Sequence, residues 1–375
     1  MLKLHQKRHP FARTRNMQIL VIQTAFLGDI ILTTPFLKAL KQKWPVSQIH
    51  VVTTPVGCEI LDGIEGISLY ALDKRSGNFY AGLKIIKKNL SSYTFDIVFS
   101  VHRSPRSLFL GRVLKARRRI AFRNFFSSIL GYETIPYPPY TNENHYSSKP
   151  FHLLKIFGEM PLEIPKPTLV VKPPEGAQHV SWSSSKNYIV LSPFSRWKTK
   201  MWPFERYIEL AKILKNTFSV PIVFVGEHFK NNHERNLIEQ LAGGFAGACT
   251  AGLSAGSASD NVRIISMIGK TNIKELKAII AEAKLLISND SACVHLASAF
   301  DVPTVALFGP TVQKWGFFPL ASKSTVIELE NLYCRPCSLH GPQECPEKHF
   351  RCMNEISVQK VFSTIQQYIT PGIMV

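Results

Sequence analysis

Short, mostly apolar runs alternate along this chain with longer segments whose apolar residues have helical spacing. The runs lie at residues 48–53, 95–101, 188–191, 221–225, 285–287 and 304–308. Runs of this length are typical of buried parallel strands, and the spacing between them is typical of amphipathic helices. The alternation therefore predicts βαβ units and an α/β protein with parallel sheets.

Two segments repeat an arrangement of strand, polar turn and helix. In residues 284–311 an apolar strand precedes Asn289-Asp290-Ser291, which can cap the helix expected at 292–300. Residues 17–45 have a strand, a turn with Gly28-Asp29, and one following helix. Ligands of open α/β sheets bind at such strand ends, because free N–H groups and the helix dipole attract anions. A capped helix in any Rossmann-like domain would show the same local pattern.

The length of 375 residues indicates two domains, each large enough for its own core. Residues 160–187 are rich in proline and then in serine, which suits a linker. Residues 254–260 are small and polar and predict a surface loop. We expect a basic N-terminal arm at 1–16, Rossmann-like domains at 17–165 and 188–355, a linker at 166–187, and a last helix within 356–375.

Positive charge dominates the composition. Lys and Arg total 45 against 26 acidic residues, a net charge of +19, which favours an anionic partner. Residues 103–123 hold many of these cations and no acid, and would suit a phosphorylated acceptor or an anionic leaflet. Nucleic acid would use the same charges, but no nucleic-acid-binding motif is present. We expect Arg117, Arg118 and Arg119 to lie at the surface and to affect stability little.

The N-terminal segment argues against export. No apolar run approaches the ~20 residues that span a bilayer. Residues 1–16 are basic, and Gly28 and Asp29 interrupt the apolar stretch that a signal peptide would need. We expect a cytoplasmic protein, peripheral on the inner face of the cytoplasmic membrane, with a transit peptide as the alternative.

Four motifs follow one another in a specific order. They are Gly28-Asp29, the sequence SPFSRWKTKMWP at residues 192–203, Val225-Gly226-Glu227, and the segment from Asp290-Ser291 to His295 and Ala297. Over roughly residues 17–370 this set resembles glycosyltransferase family 9, the ADP-heptose:lipopolysaccharide heptosyltransferases. The resemblance implies a GT-B fold: two Rossmann-like domains facing a central cleft, with a C-terminal helix returning to the first domain.

The resemblance also implies catalytic roles. Asp29 matches the proposed general base of an inverting displacement, although an aspartate there would also favour the helix dipole. Lys200 matches a lysine that contacts the donor phosphates, and Ser195 could give a hydroxyl or a backbone N–H. An exposed basic loop is the alternative reading of that motif.

Further binding roles follow from the remaining motifs. Glu227 suits a ribose diol, unless it is only a solvated loop acid. Asp290 would bind donor-sugar hydroxyls, and His295 supports the site by packing. Backbone N–H groups for phosphate would come from Ser291, Ala292 and Cys293. The expected acceptor-binding residues are Arg103, Arg106, Arg117, Arg118 and Arg119.

Four cysteines crowd one loop, residues 334–352. Cys334, Cys337, Cys345 and Cys352 have a spacing that permits zinc, with His340 and His349 among them. The loop also resembles one in some heptosyltransferase II-like members. Reduced thiols and disulfides remain open, and we assign no metal or cofactor to the reaction.

The expected function is the transfer of heptose from ADP-heptose to a lipid-linked lipopolysaccharide inner core. The expected partners are that donor, that acceptor and the anionic inner membrane, with no nucleic acid. A family 9 relative using another nucleotide sugar or acceptor is one alternative. A basic nucleic-acid-binding protein is the alternative from another class.

Overall fold

The computed structural model describes residues 16–73, 79–140, 145–158, 165–172, 187–218, 220–242 and 264–369. The chain divides into two compact units, unit 1 (Met1–Val170) and unit 2 (Val171–Val375). Residues 1–15, most of the expected linker and the expected loop at 254–260 lie outside the described residues. Within them, no helix has the length and apolar character needed to cross a membrane.

The described strands of unit 1 form a six-stranded parallel sheet in the order β3-β2-β1-β4-β5-β6. The strands are β1 (Gln18–Ile22), β2 (Gln48–Thr53), β3 (Ile67–Ala71), β4 (Phe95–Ser100), β5 (Ala116–Phe122) and β6 (Glu133–Ile135). The helices are α1 (Leu27–Ile31), α2 (Thr34–Lys43), α3 (Pro55–Leu61), α4 (Phe79–Asn89), α5 (Pro105–Val113) and α6 (Phe125–Ile129), followed by a 3-10 helix at Tyr146–Phe157.

The connections of unit 1 change direction at β1 and β4. Because βαβ crossovers are right-handed, this reversal puts α4, α5 and α6 on the face of the sheet opposite α2 and α3. It also opens a crevice at the carboxyl ends of β1 and β4, the topological switch point where ligands of such sheets bind.

The single helix expected after β1 is two helices. Thr33 caps α2, and Pro35 lies in its first turn, where a residue without an N–H is tolerated. The Thr33 hydroxyl donates to the Asp29 carbonyl (2.8 Å) and accepts from the Gln23 amide (2.9 Å). The break therefore keeps α1, with Asp29, tied to the end of β1.

Unit 2 repeats this topology. Its described strands form a six-stranded parallel sheet in the order β12-β11-β10-β7-β8-β9, with the switch point between β7 and β10. The strands are β7 (Ile189–Ser192), β8 (Ile222–Phe224), β9 (Ile264–Ser266), β10 (Leu285–Asn289), β11 (Thr304–Phe308) and β12 (Ser324–Glu328). The helices are α7 (Phe204–Phe218), α8 (Asn232–Leu241), α9 (Ile273–Ala281), α10 (Ala292–Ala299), α11 (Arg351–Asn354) and α12 (Val358–Gln366), with 3-10 turns at Lys198–Lys200 and Gln313–Trp315.

The apolar runs form the centres of both sheets. Strands β4, β7, β10 and β11 are buried along their whole length, as expected for parallel strands covered on both faces. In unit 2 the buried face of α12, with Val361, Phe362 and Ile365, packs into the core beside Phe218. The return of this helix to the first domain stays a prediction.

Candidate active site

A buried ion pair lies at the switch point of unit 2. Lys200 comes from the 3-10 turn after β7, and its Nζ lies 2.6 Å from Oδ2 of Asp290, which directly follows β10. The hydroxyl of Thr311, after β11, donates to the same carboxylate oxygen at 2.7 Å. Three neighbouring strands thus bring one ammonium, one carboxylate and one hydroxyl together, two of them predicted from the sequence.

The surroundings favour the charged form of Asp290. Burial alone would raise the pKa of Asp290, but Lys200, Thr311 and His295 outweigh it and hold the pKa below its usual range. Burial lowers the pKa of His295 to about 4, against the opposing charge of Asp290, so the ring is neutral at neutral pH. Among the described residues, His295 Nδ1 has no hydrogen-bond partner.

Asn289 fastens the 192–203 segment to the end of β10. Its side-chain oxygen accepts hydrogen bonds from the Trp202 backbone N–H (3.0 Å) and the Tyr207 hydroxyl (3.1 Å). Its amide nitrogen donates to the Pro193 carbonyl at 2.6 Å. Trp202 is itself buried and donates Nε1–H to the Ile356 carbonyl. The sequence pattern predicted only a capping role for Asn289, because its partners Pro193 and Trp202 are 96 and 87 residues away in the chain.

The remaining predicted donor residues surround the N-terminus of α10. Ser291 caps this helix by accepting the Cys293 N–H at 3.3 Å, and Ala292 is its first residue. Ser195 Oγ makes a long hydrogen bond, 3.4 Å, to the Asp290 carbonyl. The positive end of the α10 dipole therefore lies beside Lys200, an arrangement that favours an anion.

Glu227 occupies a different part of the same edge. It follows the strand β8, and its side chain is 83% exposed, with the carboxylate 3.7 Å from His228 Nε2. Gly226 before it has no room for a side chain, because an added Cβ would lie 2.4 Å from the Phe194 ring. The carboxylate is accessible, as a ribose-binding role requires.

The Cys-rich loop forms a wall beside this site. The His340 ring stacks on Trp197 at 6.3 Å between centroids, and Gln343 bonds the backbone of Lys198 (3.4 Å) and Arg196 (3.3 Å). Burial lowers the pKa of His340. The charge of Lys200 lowers this pKa further, and the charge of Asp290 opposes the shift. The sequence did not predict that this loop packs against residues 196–198, although His340 lies among its cysteines.

The six cysteines within the described ranges are free thiols. Across those ranges no group of three or more His, Cys, Asp or Glu side chains is arranged to hold a metal ion. Cys334 Sγ lies 3.8 Å from His349 Nε2, and Cys345 Sγ accepts the Phe350 N–H at 3.4 Å. No disulfide joins these six cysteines within the described ranges, and the choice between a metal site and reduced thiols stays a prediction.

In unit 1, Asp29 lies on α1, just beyond β1 at the switch point. Its carboxylate accepts the Phe26 N–H at 3.2 Å. Just after β1 and β4, Thr24 and His102 share hydrogen bonds of 2.8 to 3.2 Å with each other and with Ser107 on α5. This polar network was not singled out from the sequence, because Thr24 is 78 and 83 residues from His102 and Ser107.

The arginines of residues 103–123 separate into two groups. Arg118 forms a bidentate pair with Glu133 (2.8 and 2.6 Å), and Arg119 donates to the carbonyls of Gly111, Leu114 and Ala116. We expected both to lie at the surface; they are instead half-buried, because β5 turns them towards these neighbouring groups, and their effect on stability stays a prediction. Arg117 is 53% exposed and lies 3.3 Å from Asp96.

The other two predicted acceptor residues are exposed at or near α5. Arg103 stacks on the Tyr137 ring at 4.3 Å, and Arg106 lies 5.7 Å from the Phe79 ring. The structure does not gather the five arginines into one cluster, and acceptor binding by them stays a prediction. The contacts favour Arg103 and Arg106 as the residues available to a ligand.

Residues 84–349, more than half of the chain, match the sequence model of glycosyltransferase family 9 (heptosyltransferase). The chain belongs to glycosyltransferase family 9. A similar relative is lipooligosaccharide heptosyltransferase 2 of Campylobacter jejuni, which is 24% identical over 95% of this chain and all of that protein.

Solved structures agree with this assignment in fold. The family 9 glycosyl transferase of Veillonella parvula has a TM-score of 0.74 at 22% identity, covering 94% of this chain and 97% of that one. The ADP-heptose lipopolysaccharide heptosyltransferase II of E. coli has a TM-score of 0.69 at 19% identity, covering 94% and 98%.

The protein is therefore a glycosyltransferase, and its two doubly wound units are the Rossmann-like pair of a GT-B fold. The predicted family, fold class and enzyme class are confirmed, against the alternative of a nucleic-acid-binding protein. The predicted domain limits and the roles of individual site residues stay predictions.

Proposed function

We propose that this glycosyltransferase moves a heptose from ADP-heptose to the inner core of a lipid-linked lipopolysaccharide by an inverting displacement. The names of the relatives, which are lipooligosaccharide and lipopolysaccharide heptosyltransferases, support the donor and the acceptor. The observation that carries the proposal is the Lys200–Asp290 pair at the switch point of unit 2. Lys200 and Asp290 each belong to one of the four motifs that resemble family 9.

Unit 2 would bind the donor. Lys200 and the N-terminus of α10 are positive groups side by side, so they suit the diphosphate and stabilise it further as the bond to the sugar breaks. The Asp290 carboxylate can accept hydrogen bonds from heptose hydroxyls, and Glu227 can accept them from the ribose. This account requires no metal ion and no cofactor.

Unit 1 would supply the base. Asp29 takes the proton from the attacking acceptor hydroxyl as that oxygen bonds to the anomeric carbon of the heptose. The bond from that carbon to the phosphate oxygen breaks on the opposite face, and ADP leaves with the electron pair. A positioned base contributes about 10²–10⁴-fold to such a step. Arg103 and Arg106 would attract the anionic groups of the acceptor.

The proposal is tested by ADP release from ADP-heptose in the presence of Kdo-lipid A, with and without a first heptose. ADP release that requires one of these acceptors supports it. A protein that turns over another nucleotide sugar, but not ADP-heptose with either acceptor, would contradict it.

We further infer that α5 and α6 are the part of unit 1 that contacts an anionic membrane. Phe125 and Ile129 on α6 are 72% and 67% exposed, and Phe126 and Phe109 are exposed beside them. The sequence from residue 97 to residue 132 contains no acid. Six cations of the same acid-free stretch are exposed: Arg103, Arg106, Arg112, Lys115, Arg117 and Arg123. Apolar insertion plus attraction of basic side chains to anionic headgroups is how peripheral proteins bind bilayers.

A further inference from the structure

One exposed arginine of unit 1 carries its charge without an acidic partner. Arg103 lies just after β4, at the edge of the sheet where ligands of such folds bind. Over the ranges that the structure describes, Arg117 and Arg118 each pair with a carboxylate, whereas Arg103 pairs with none. The charge of Arg103 is therefore available to an anion.

Both ends of Arg103 are held in place. Its carbonyl accepts a hydrogen bond from the Asn124 side-chain amide at 3.0 Å, and Asn124 is itself fixed because it caps α6. The guanidinium lies over the Tyr137 ring, 4.3 Å from the centroid. A free arginine side chain loses rotamer freedom when it binds a ligand, and stacking on a fixed ring reduces that loss beforehand.

The ring of Tyr137 is fixed by its own neighbours. Tyr137 is half-buried just after β6, and its ring meets the ring of Phe122 edge-on, at 5.0 Å and 77°. Its hydroxyl lies 3.3 Å from the Tyr140 hydroxyl. Arg103, Phe122 and Tyr137 thus come from the carboxyl ends of three neighbouring strands, β4, β5 and β6. The order of strands in the sheet creates this support.

A second basic group lies beside the same ring. Lys149, on the 3-10 helix Tyr146–Phe157, is only 1% exposed, and its Nζ makes no hydrogen bond within the described ranges. Its Nζ lies 3.0 Å from the centroid of the Tyr140 ring and 5.0 Å from those of Tyr137 and Tyr146. These rings offset part of the cost of burying the ammonium. In its protonated form Lys149 adds to the positive potential around Arg103.

We propose that Tyr137 is a positioning residue for the acceptor, which holds the Arg103 guanidinium ready to bind an anionic group of that substrate. This inference rests on the proposed function, in which unit 1 binds the acceptor. The ligand is a carboxylate or a phosphate, because a planar guanidinium presents paired N–H donors to two oxygens of one such group. Tyr137 need not touch the acceptor, since it acts through the arginine.

The experiment measures kcat and KM for the acceptor that wild-type protein uses, Kdo-lipid A or its heptosylated form, at saturating ADP-heptose. Tyr137→Leu removes the ring on which Arg103 stacks, and Tyr137→Phe keeps it. Phe79→Leu is the matched control, because the Phe79 ring lies 5.7 Å from Arg106, too far to order it in the same way. We expect the KM of Tyr137→Leu to rise about three- to tenfold, with kcat and ADP affinity near wild type. Tyr137→Phe and Phe79→Leu should keep the wild-type KM.

Variants of Arg103 test the inference even if Tyr137→Leu does not fold, because this side chain is exposed. Arg103→Lys keeps the charge but lacks the planar fork, so its KM should rise at least as much as that of Tyr137→Leu. Adding Tyr137→Leu to Arg103→Gln should change the KM little further, since the ring then has no guanidinium to hold. A wild-type KM in Arg103→Lys or in folded Tyr137→Leu overturns the inference, as does an equal rise in Phe79→Leu.

Modified acceptors identify the anionic group. Wild-type protein should show a raised KM either for an acceptor whose carboxyl groups are methyl esters or for one that lacks the lipid A phosphates. Arg103→Gln should be insensitive to that same modification. Wild-type protein that is insensitive to both modifications overturns anion binding by Arg103. A wild-type protein that transfers nothing from ADP-heptose to either acceptor overturns the proposed function instead.

Discussion

Lys200 and Lys149 are both buried cations, but their charges are compensated differently. Lys200 has the Asp290 carboxylate at 2.6 Å, whereas Lys149 has three tyrosine rings. Loss of one member of a buried ion pair leaves the other charge uncompensated, which is costlier than replacing both. The role of Lys200 in binding can therefore be separated from its role in stability.

Lys200→Ala is expected to weaken ADP-heptose binding and lower kcat, because the leaving diphosphate gains charge in the transition state. It should also destabilise the protein by about 3–5 kcal/mol, since Asp290 stays buried without its cation. Calorimetry with ADP and denaturant unfolding measure the two effects. The double variant Lys200→Met/Asp290→Asn removes both charges of the pair. Its stability should return towards the wild-type value, whereas its ADP binding should stay weak. A double variant that regains both would contradict the donor role of Lys200.

Asp29→Asn should lower kcat by about 10²–10⁴-fold and leave donor binding intact. The asparagine oxygen can still accept the Phe26 N–H, so the melting temperature should change little. Steady-state ADP release and calorimetry with ADP make the comparison. More than about half of the wild-type activity would show that the base is elsewhere.

His295 should make unit 2 sensitive to acid. Its pKa in the fold is about 4, below the ~6.5 of an unfolded histidine. The unfolded chain thus binds more protons between these values, so the stabilisation is complete above pH ~6.5 and is lost as the pH falls through 4. As the pH falls between these values, the free energy of unfolding of wild type should decrease faster than that of His295→Gln. The difference between the two slopes should be at most ~1.4 kcal/mol per pH unit. Parallel curves from pH 7 to 4 would contradict this.

At the scale of elements, the position of each arginine on β5 sets whether its side chain bonds to the protein or is exposed. Arg119 donates to carbonyls around the end of α5, while Arg117, two positions earlier, is half exposed. Arg119→Gln should cost about 1–3 kcal/mol, because buried carbonyls lose their donors. Arg117→Gln should stay within about 0.5 kcal/mol of wild type in urea unfolding. Equal effects of the two changes would contradict the assignment.

The α6 surface gives a second prediction at this scale. Replacing Phe125, Phe126 and Ile129 with Ser should reduce co-sedimentation with phosphatidylglycerol-containing vesicles, and wild-type binding should weaken with salt. Val46→Ser with Val56→Ser is the matched control, since both valines are exposed in unit 1 outside α5 and α6. Binding that survives the triple change, or that is equally strong on neutral phosphatidylcholine, would contradict membrane contact by this surface.

At the scale of the whole molecule, the two units use one topology twice. Each is a parallel sheet with one reversal of strand order, and each places its polar residues at the reversal. Neighbouring strand ends leave a crevice there, with backbone N–H groups and helix termini available. Asp29 in unit 1 and the Lys200–Asp290 pair in unit 2 occupy equivalent places for this reason.

The sequence by itself determined the central strands of both sheets and the motif positions. Apolar runs such as 285–287 and 304–308 became β10 and β11, because the burial of a parallel strand requires apolar residues throughout. Capping residues likewise predicted the start of α10, a local effect of neighbouring residues. Asp29, Lys200 and Asp290 were identified from motifs, and in the structure they follow β1, β7 and β10 respectively.

Only the tertiary structure decided which distant groups meet. Asn289 bonds the Trp202 backbone across 87 positions of sequence, and Lys149 lies against the ring of Tyr140. Arg118 and Arg119, alike in sequence, have different internal partners because successive side chains of a strand point to opposite faces. Local pattern records burial and helix capping, whereas these contacts depend on how strands far apart in the chain are ordered in the sheet.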